Sequence, residues 1–129
     1  MNVASDLAKQ PEAIPADYGA SKAAIHSLTK SLAFAYAEKG IRVNCVCPGP
    51  IWTSLWTRPG GVVDNLLEVY GTTNKDEAIA RYVGERRIPL GIGQPDDVAA
   101  IVLILASPRA KHVTGSAYNV DGGAIRSLL

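Results

Sequence analysis

Ile41-Arg42-Val43-Asn44-Cys45-Val46-Cys47-Pro48-Gly49-Pro50 is a short apolar run cut off by a proline-glycine-proline turn. Its length and β-branched residues predict a strand over residues 41–47, which Pro48 and Pro50 cannot continue as a ladder. Immediately upstream, residues 18–39 carry apolar Ile25, Leu28, Leu32 and Ala35 or Tyr36 at helical spacing, and Gly40 stands where a left-handed helix end is expected. Small Ala20, Ala23 and Ala24 suit close approach of a neighbour. Helix followed by buried strand is the repeating unit of a parallel sheet flanked by helices, so this junction sets the fold class as α/β.

Working outward, the residues before Ser5 form a strand end. Gln10 to Asp17, with Pro11 and Pro15, forms a loop that suppresses helix until Tyr18. Beyond the central strand, residues 52–90 are irregular, with short helical patterns at 63–70 and 76–87 and both tryptophans, which suits a mobile lid. Gly93-Gln94-Pro95-Asp96-Asp97 opens another helix, with proline early and carboxylates in the first turn. Val98, Ile101, Val102 and Leu105 make its apolar stripe, and Ser107-Pro108 stops it. Ser116 to Val120 is a last strand leaving through Asp121-Gly122-Gly123.

Composition excludes several classes of function. Thirteen basic against twelve acidic residues give a net charge of +1, which offers no broad attraction to nucleic acid or anionic membrane. The longest apolar run, Val98 to Ala106, is nine residues and too short to span a bilayer. The start of the chain lacks the basic and apolar pattern of a secretory signal, so the expected compartment is the cytoplasm. Cys45 and Cys47 point to one face of a strand and read as buried thiols, not as a disulfide. His26 and His112 have no partner at ligand spacing, and no metal is expected.

The chemistry is concentrated in Tyr18-Gly19-Ala20-Ser21-Lys22. Tyr18 and Lys22, at i and i+4, share a helix face, so the ammonium favours a developing phenolate. Ser5, thirteen residues upstream of Tyr18, can hold a reacting oxygen with its hydroxyl. This is the outline of a carbonyl/alcohol redox site, in which a cofactor moves the hydride and the protein moves the proton.

Together, Tyr18-x-x-x-Lys22, Ser5, the run from Ile41 to Thr53 and the late Val120-Asp121-Gly122-Gly123 resemble the C-terminal half of the short-chain dehydrogenase/reductase family, including its 3-oxoacyl-(acyl carrier protein) reductase-like members. The resemblance covers residues 2–123. It implies a single partial Rossmann-like domain over residues 1–129: half of a doubly wound parallel sheet with a helical substrate lid at about 52–90. It implies NAD or NADP as cofactor, a small-molecule carbonyl or alcohol substrate, and a homo-oligomer, dimer or tetramer, in the intact family member. By the same resemblance Tyr18 is the acid/base and Ser5 polarises the carbonyl. Lys22 assists Tyr18 and binds the nicotinamide ribose. Pro48 and Gly49 lie at the nicotinamide, with Ile51 meeting the carboxamide through its backbone and Thr53 through its hydroxyl.

Thr53 also suits a helix N-cap, and Asn44 reads as a structural tie from strand to helix. Trp52, Trp56 and Tyr70 either line a substrate pocket or pin the lid to the body. Arg81, Arg86 and Arg87 read as a solvated helix face more than as a clamp for an acyl phosphate.

The family's glycine-rich pyrophosphate turn, its NAD-or-NADP selecting residue and a further catalytic Asn have no counterpart here; Gly91-Ile92-Gly93 is a turn feeding a helix. The expectation is therefore an NAD(P)-dependent ketone/alcohol oxidoreductase whose isolated 129-residue chain turns over little or not at all. The alternative is a catalytically inactive remnant that associates with full-length relatives.

Overall fold

The computed structural model describes residues 1–13 and 15–127. Three parallel strands, β1 (Asn2–Val3), β2 (Cys45–Pro48) and β3 (Ala117–Val120), form one sheet in the order β1-β2-β3. Asn2 pairs with Cys45, and Cys45 to Pro48 pair in step with Ala117 to Val120. Helix α1 (Ala16–Tyr36) connects β1 to β2. The longer connection to β3 carries α2 (Ser54–Thr57), α3 (Val62–Tyr70), α4 (Lys75–Arg86) and α5 (Pro95–Ala106).

Alternation along β2 divides the core between the two faces of the sheet. Cys45 and Cys47, both free thiols with no measurable exposure, pack with Ala4 against Ile25 of α1 and Ala117. Val46 faces the other way and packs with Leu105, Ile101, Val102 and Val98, the apolar stripe of α5. The sheet is thus covered by α1 on one side and α5 on the other, which is why β2 is apolar on both faces.

Most helix ends follow local chemistry. Gly40, at φ 71°, closes the 3-10 turn after α1. Asn74 caps α4 by accepting from the amides of Asp76 and Glu77. The Gln94 amide donates to the Asp97 carboxylate at 2.7 Å at the head of α5. Ser107, before Pro108, ends that helix.

Several local expectations change. Helix α1 begins at Ala16 because Pro15 occupies its N-cap position, where a missing amide costs nothing. Its packed side carries Gly19, Thr29 and Ala33, whereas Leu28 and Tyr36 are exposed. Ala20, Ala23 and Ala24 face solvent, and the close approach is made at Gly19, where an added Cβ would sit 3.4 Å from the Leu7 carbonyl oxygen. The strand is shorter at its start than residues 41–47, because Val43 and Asn44 bond to the segment ahead of β3: the Val43 amide donates to Thr114 Oγ1 and the Gly115 amide to the Val43 carbonyl. At its end it continues through Pro48, which pairs with Val120 where no proline amide is needed. Asn44, 2 % exposed, ties that segment and not a helix, donating to the Val113 carbonyl at 2.8 Å and accepting from the Ser116 amide at 3.1 Å.

Candidate functional site

A cleft of about 570 Å³ opens at the C-terminal ends of β1 and β2, where ligands collect in open parallel sheets. Ser5, Tyr18, Lys22, Pro48, Gly49, Ile51, Thr53 and Trp56 all line it, together with Leu55, Val62, Tyr82 and Arg86. Residues far apart in the chain meet here because β1 and β2 are neighbours in the sheet and the start of α1 packs against β1 through the bond from Lys22 to the Val3 carbonyl.

Tyr18 and Lys22 lie in the first two turns of α1. The Lys22 ammonium sits 5.4 Å from the centre of the Tyr18 ring and donates to the Val3 carbonyl at 3.3 Å, so strand β1 holds the cation beside the phenol. Tyr18 is 43 % exposed and open to a ligand. Ser5 is buried at the head of a 3-10 turn (Asp6–Ala8), in extended backbone at φ −162°. Its hydroxyl donates to Asp6 Oδ1 at 2.8 Å and accepts from the Leu7 amide at 3.2 Å.

The strand end is shaped by close packing. The Gly49 amide donates to the Val120 carbonyl, and an added Cβ on Gly49 would lie 2.8 Å from the Asp121 Cα, so glycine is required by the neighbouring strand exit. Ile51 pairs with Gly93 in an isolated parallel bridge whose bonds use the Pro50 carbonyl and the Trp52 amide. In that pattern the amide and carbonyl of Ile51 itself point away from Gly93. Thr53 occupies the N-cap position of α2 with no capping bond from its side chain.

The aromatic residues separate. Trp56 is 5 % exposed and packs edge-on against Tyr82 at 5.5 Å, forming a wall of the cleft. Trp52, 5.5 Å from Trp56, lines a different depression with Val63 and Ile79. Tyr70 pins α3 to α4: its hydroxyl donates to Glu85 at 2.8 Å and its ring lies under Arg81 at 4.4 Å. Tyr82 is the second tyrosine of the cleft, and burial pushes its phenol up, with the Arg86 charge opposing. That direction disfavours Tyr82 as the group that ionises.

Arg86 departs from the expected solvated face. It pairs with Asp6 at 3.2 Å and with Glu12 at 3.0 Å, with its side chain 19 % exposed. Arg81 is solvated and pairs with Glu85, and Arg87 adopts φ 50° where it closes α4. Sequence reasoning missed Asp6 and Tyr82 and placed Arg86 in solvent; only the adjacency of Asp6 to Ser5 offered a signal. Among the described residues no group of three His, Cys, Asp or Glu side chains could hold a metal, and no helix is long and apolar enough to cross a membrane.

The chain resembles known proteins over almost its whole length. A family model described as enoyl-(acyl carrier protein) reductase matches residues 1–124. The 3beta-hydroxysteroid dehydrogenase 1 of Eggerthella lenta is 41 % identical over 123 residues, covering 92 % of this chain and 41 % of that protein. L-sorbose reductase from Gluconobacter frateurii, solved with NADPH and L-sorbose, superposes with a TM-score of 0.84 at 31 % identity, over 98 % of this chain and 46 % of that one. An NADPH-bound short-chain oxidoreductase from Pseudomonas aeruginosa, with an atypical catalytic centre, gives a TM-score of 0.80 at 32 % identity, over 97 % of this chain and 45 % of that one. The chain therefore spans less than half the length of these relatives. With a family model matched from residue 1 to 124 and relatives of this kind, the chain belongs to the short-chain dehydrogenase/reductase family.

Proposed function

We propose that these residues serve an NAD(P)-dependent oxidoreductase that interconverts a ketone and a secondary alcohol. The observation that carries this reading is the convergence of Ser5, Tyr18 and Lys22 with the end of β2 on one cleft. The NADPH-bound relatives support a nicotinamide cofactor. The nicotinamide end of such a cofactor would meet the Ile51 backbone, which points away from Gly93, and the Thr53 hydroxyl, which makes no capping bond. When bound, that cofactor supplies or accepts the hydride.

The chain's own residues do the rest. Tyr18 gives its phenolic proton to the substrate oxygen in reduction and takes it back in oxidation. Lys22 is held beside the Tyr18 ring by the Val3 carbonyl, where it would favour the phenolate and would hold the ribose of a bound cofactor. Ser5 holds the reacting oxygen. Trp56, Leu55 and Val62 give the cleft an apolar wall that excludes water from the reacting carbon. The test is cofactor-linked turnover over a panel of ketones and secondary alcohols, with Tyr18→Phe as the control: whatever turnover the chain supports falls by about 10²–10⁴ in that variant. Full turnover by Tyr18→Phe contradicts the assignment.

A second reading, a chain without turnover that associates with a longer relative, is favoured by the exposed apolar residues. Val3 on β1 is 52 % exposed, Phe34 on α1 90 % and Leu103 on α5 70 %. Co-purification with a longer relative, together with no turnover, supports it; turnover by the chain alone contradicts it.

A further inference from the structure

We infer that Arg86 is a positioning residue that fixes the Ser5 hydroxyl through Asp6, and that its charge is spent within the protein and not on the ligand. The inference rests on the reading that Ser5 faces the reacting oxygen.

One guanidinium ties three segments together. Arg86 projects from the last turn of α4, and its Nη2 donates to Asp6 Oδ2 at 3.2 Å and lies 3.0 Å from Glu12 Oε1. Its Nη1 donates to Glu12 Oε2 at 3.2 Å. Asp6 belongs to the turn that carries Ser5, and Glu12 to the segment that leads into Tyr18. The side chain also stands over the Tyr82 ring at 5.5 Å, which fixes its approach. Two carboxylates around one guanidinium leave no uncompensated positive charge at this wall of the cleft.

The consequence for Ser5 follows from counting donors and acceptors. A carboxylate only accepts, so the 2.8 Å contact between Ser5 Oγ and Asp6 Oδ1 commits the single serine proton to Asp6. The Leu7 amide donates to both Ser5 Oγ, at 3.2 Å, and Asp6 Oδ1, at 2.9 Å. Ser5 therefore keeps one lone pair to offer, and must give up Asp6 before it can donate to a carbonyl. Asp6 is 6 % exposed, and Arg86 is the cation that compensates it. Without Arg86 the buried carboxylate loses that partner, and the turn holding Ser5 loses its anchor to α4.

The Leu7 amide reports on this arrangement directly, and no cofactor is needed to read it. In the full 129-residue chain, labelled with nitrogen-15, amide hydrogen exchange is compared among the unaltered protein, Arg86→Met, Arg86→Lys, Asp6→Asn, Glu12→Gln and the double variant of Arg86→Met with Asp6→Asn. Arg86→Met speeds Leu7 exchange on the order of tenfold, as expected for loss of a charged hydrogen-bond partner, while the β2 amides keep their protection. Glu12→Gln has a smaller effect. Once Asp6→Asn is present, Arg86→Met adds nothing further at Leu7, a coupling that a general packing role would not produce. Arg86→Lys restores the charge without the fork and recovers only part of the protection. If Arg86→Met unfolds, Arg86→Lys carries the test.

Unchanged Leu7 exchange in both Arg86 variants overturns the inference. So does a loss spread equally over β2, or a Leu7 amide already unprotected in the unaltered chain. Failure to bind NADH or NADPH would count against the redox reading and leave this readout intact, so the two failures are distinguishable.

Discussion

A Cβ placed on Gly49 would lie 2.8 Å from the Asp121 Cα, closer than carbon atoms approach without displacement. The obstacle is backbone, so it cannot swing aside. Gly49→Ala is expected to destabilise the chain by about 1–3 kcal/mol through overpacking. Chemical denaturation monitored by circular dichroism measures it, and an unchanged midpoint would show that β2 and the exit of β3 can separate freely.

Asn44, itself buried, bonds the half-buried Val113 carbonyl and Ser116 amide. Asn44→Ala leaves the Ser116 amide without its acceptor, while the Val113 carbonyl keeps the Arg42 guanidinium at 3.3 Å, so the expected cost is that of one unsatisfied group, about 1–3 kcal/mol. The expected signature is a lowered unfolding midpoint, with exchange of the Ser116 amide accelerated more than that of the helix amides.

Arg87 is the one non-glycine among the described residues with positive φ, at 50°. Its amide and that of Ile88 close α4 onto the Gly84 and Val83 carbonyls, a role glycine fills with less strain. Arg87→Gly is expected to raise stability by about 0.5–1 kcal/mol, which a denaturant titration resolves. Loss of stability would mean that the side chain contributes more than the backbone strain removes.

Burial, reinforced by the neighbouring Cys45, pushes the Cys47 thiol up from an ordinary 9.0 to about 11. A raised folded-state value means the native protein holds its proton longer than the unfolded chain. The thiol's contribution to stability is therefore complete below pH 9.0 and is lost as pH rises towards 11. Unfolding free energy measured across that window should fall, and Cys47→Ala should flatten the slope. Alkylation of Cys47 at mildly alkaline pH should proceed at the rate of unfolding.

How much was legible beforehand depended on sequence distance. The alternation of helix and strand, the stop at Gly40 and Ser107-Pro108 and the stripe Val98, Ile101, Val102 and Leu105 are local patterns, and the structure shows them nearly as written. Helix α1 was harder, because its packed side is built from Gly19, Thr29 and Ala33, residues that carry little apolar signal. The pairing of Tyr18 with Lys22 was readable from helical spacing, whereas the grouping of Ser5 with them was readable only through the family resemblance. The pairing of Arg86 with Asp6, eighty residues apart, was not, since three arginines in a helical pattern look alike until the sheet brings the Ser5 turn beneath one of them. Trp52 and Trp56 lie four residues apart, yet only Trp56 reaches the cleft.

The central claim is that the cleft at the end of β2 takes a nicotinamide cofactor with Lys22 beside Tyr18. Fluorescence titration of the purified chain with NADH and NADPH, with circular dichroism confirming the fold, tests it most directly. The account predicts saturable binding of at least one cofactor, weakened about ten- to a hundredfold in Lys22→Met by loss of a charged hydrogen bond. A folded chain that binds neither cofactor, or that binds with an affinity indifferent to Lys22→Met, would contradict it.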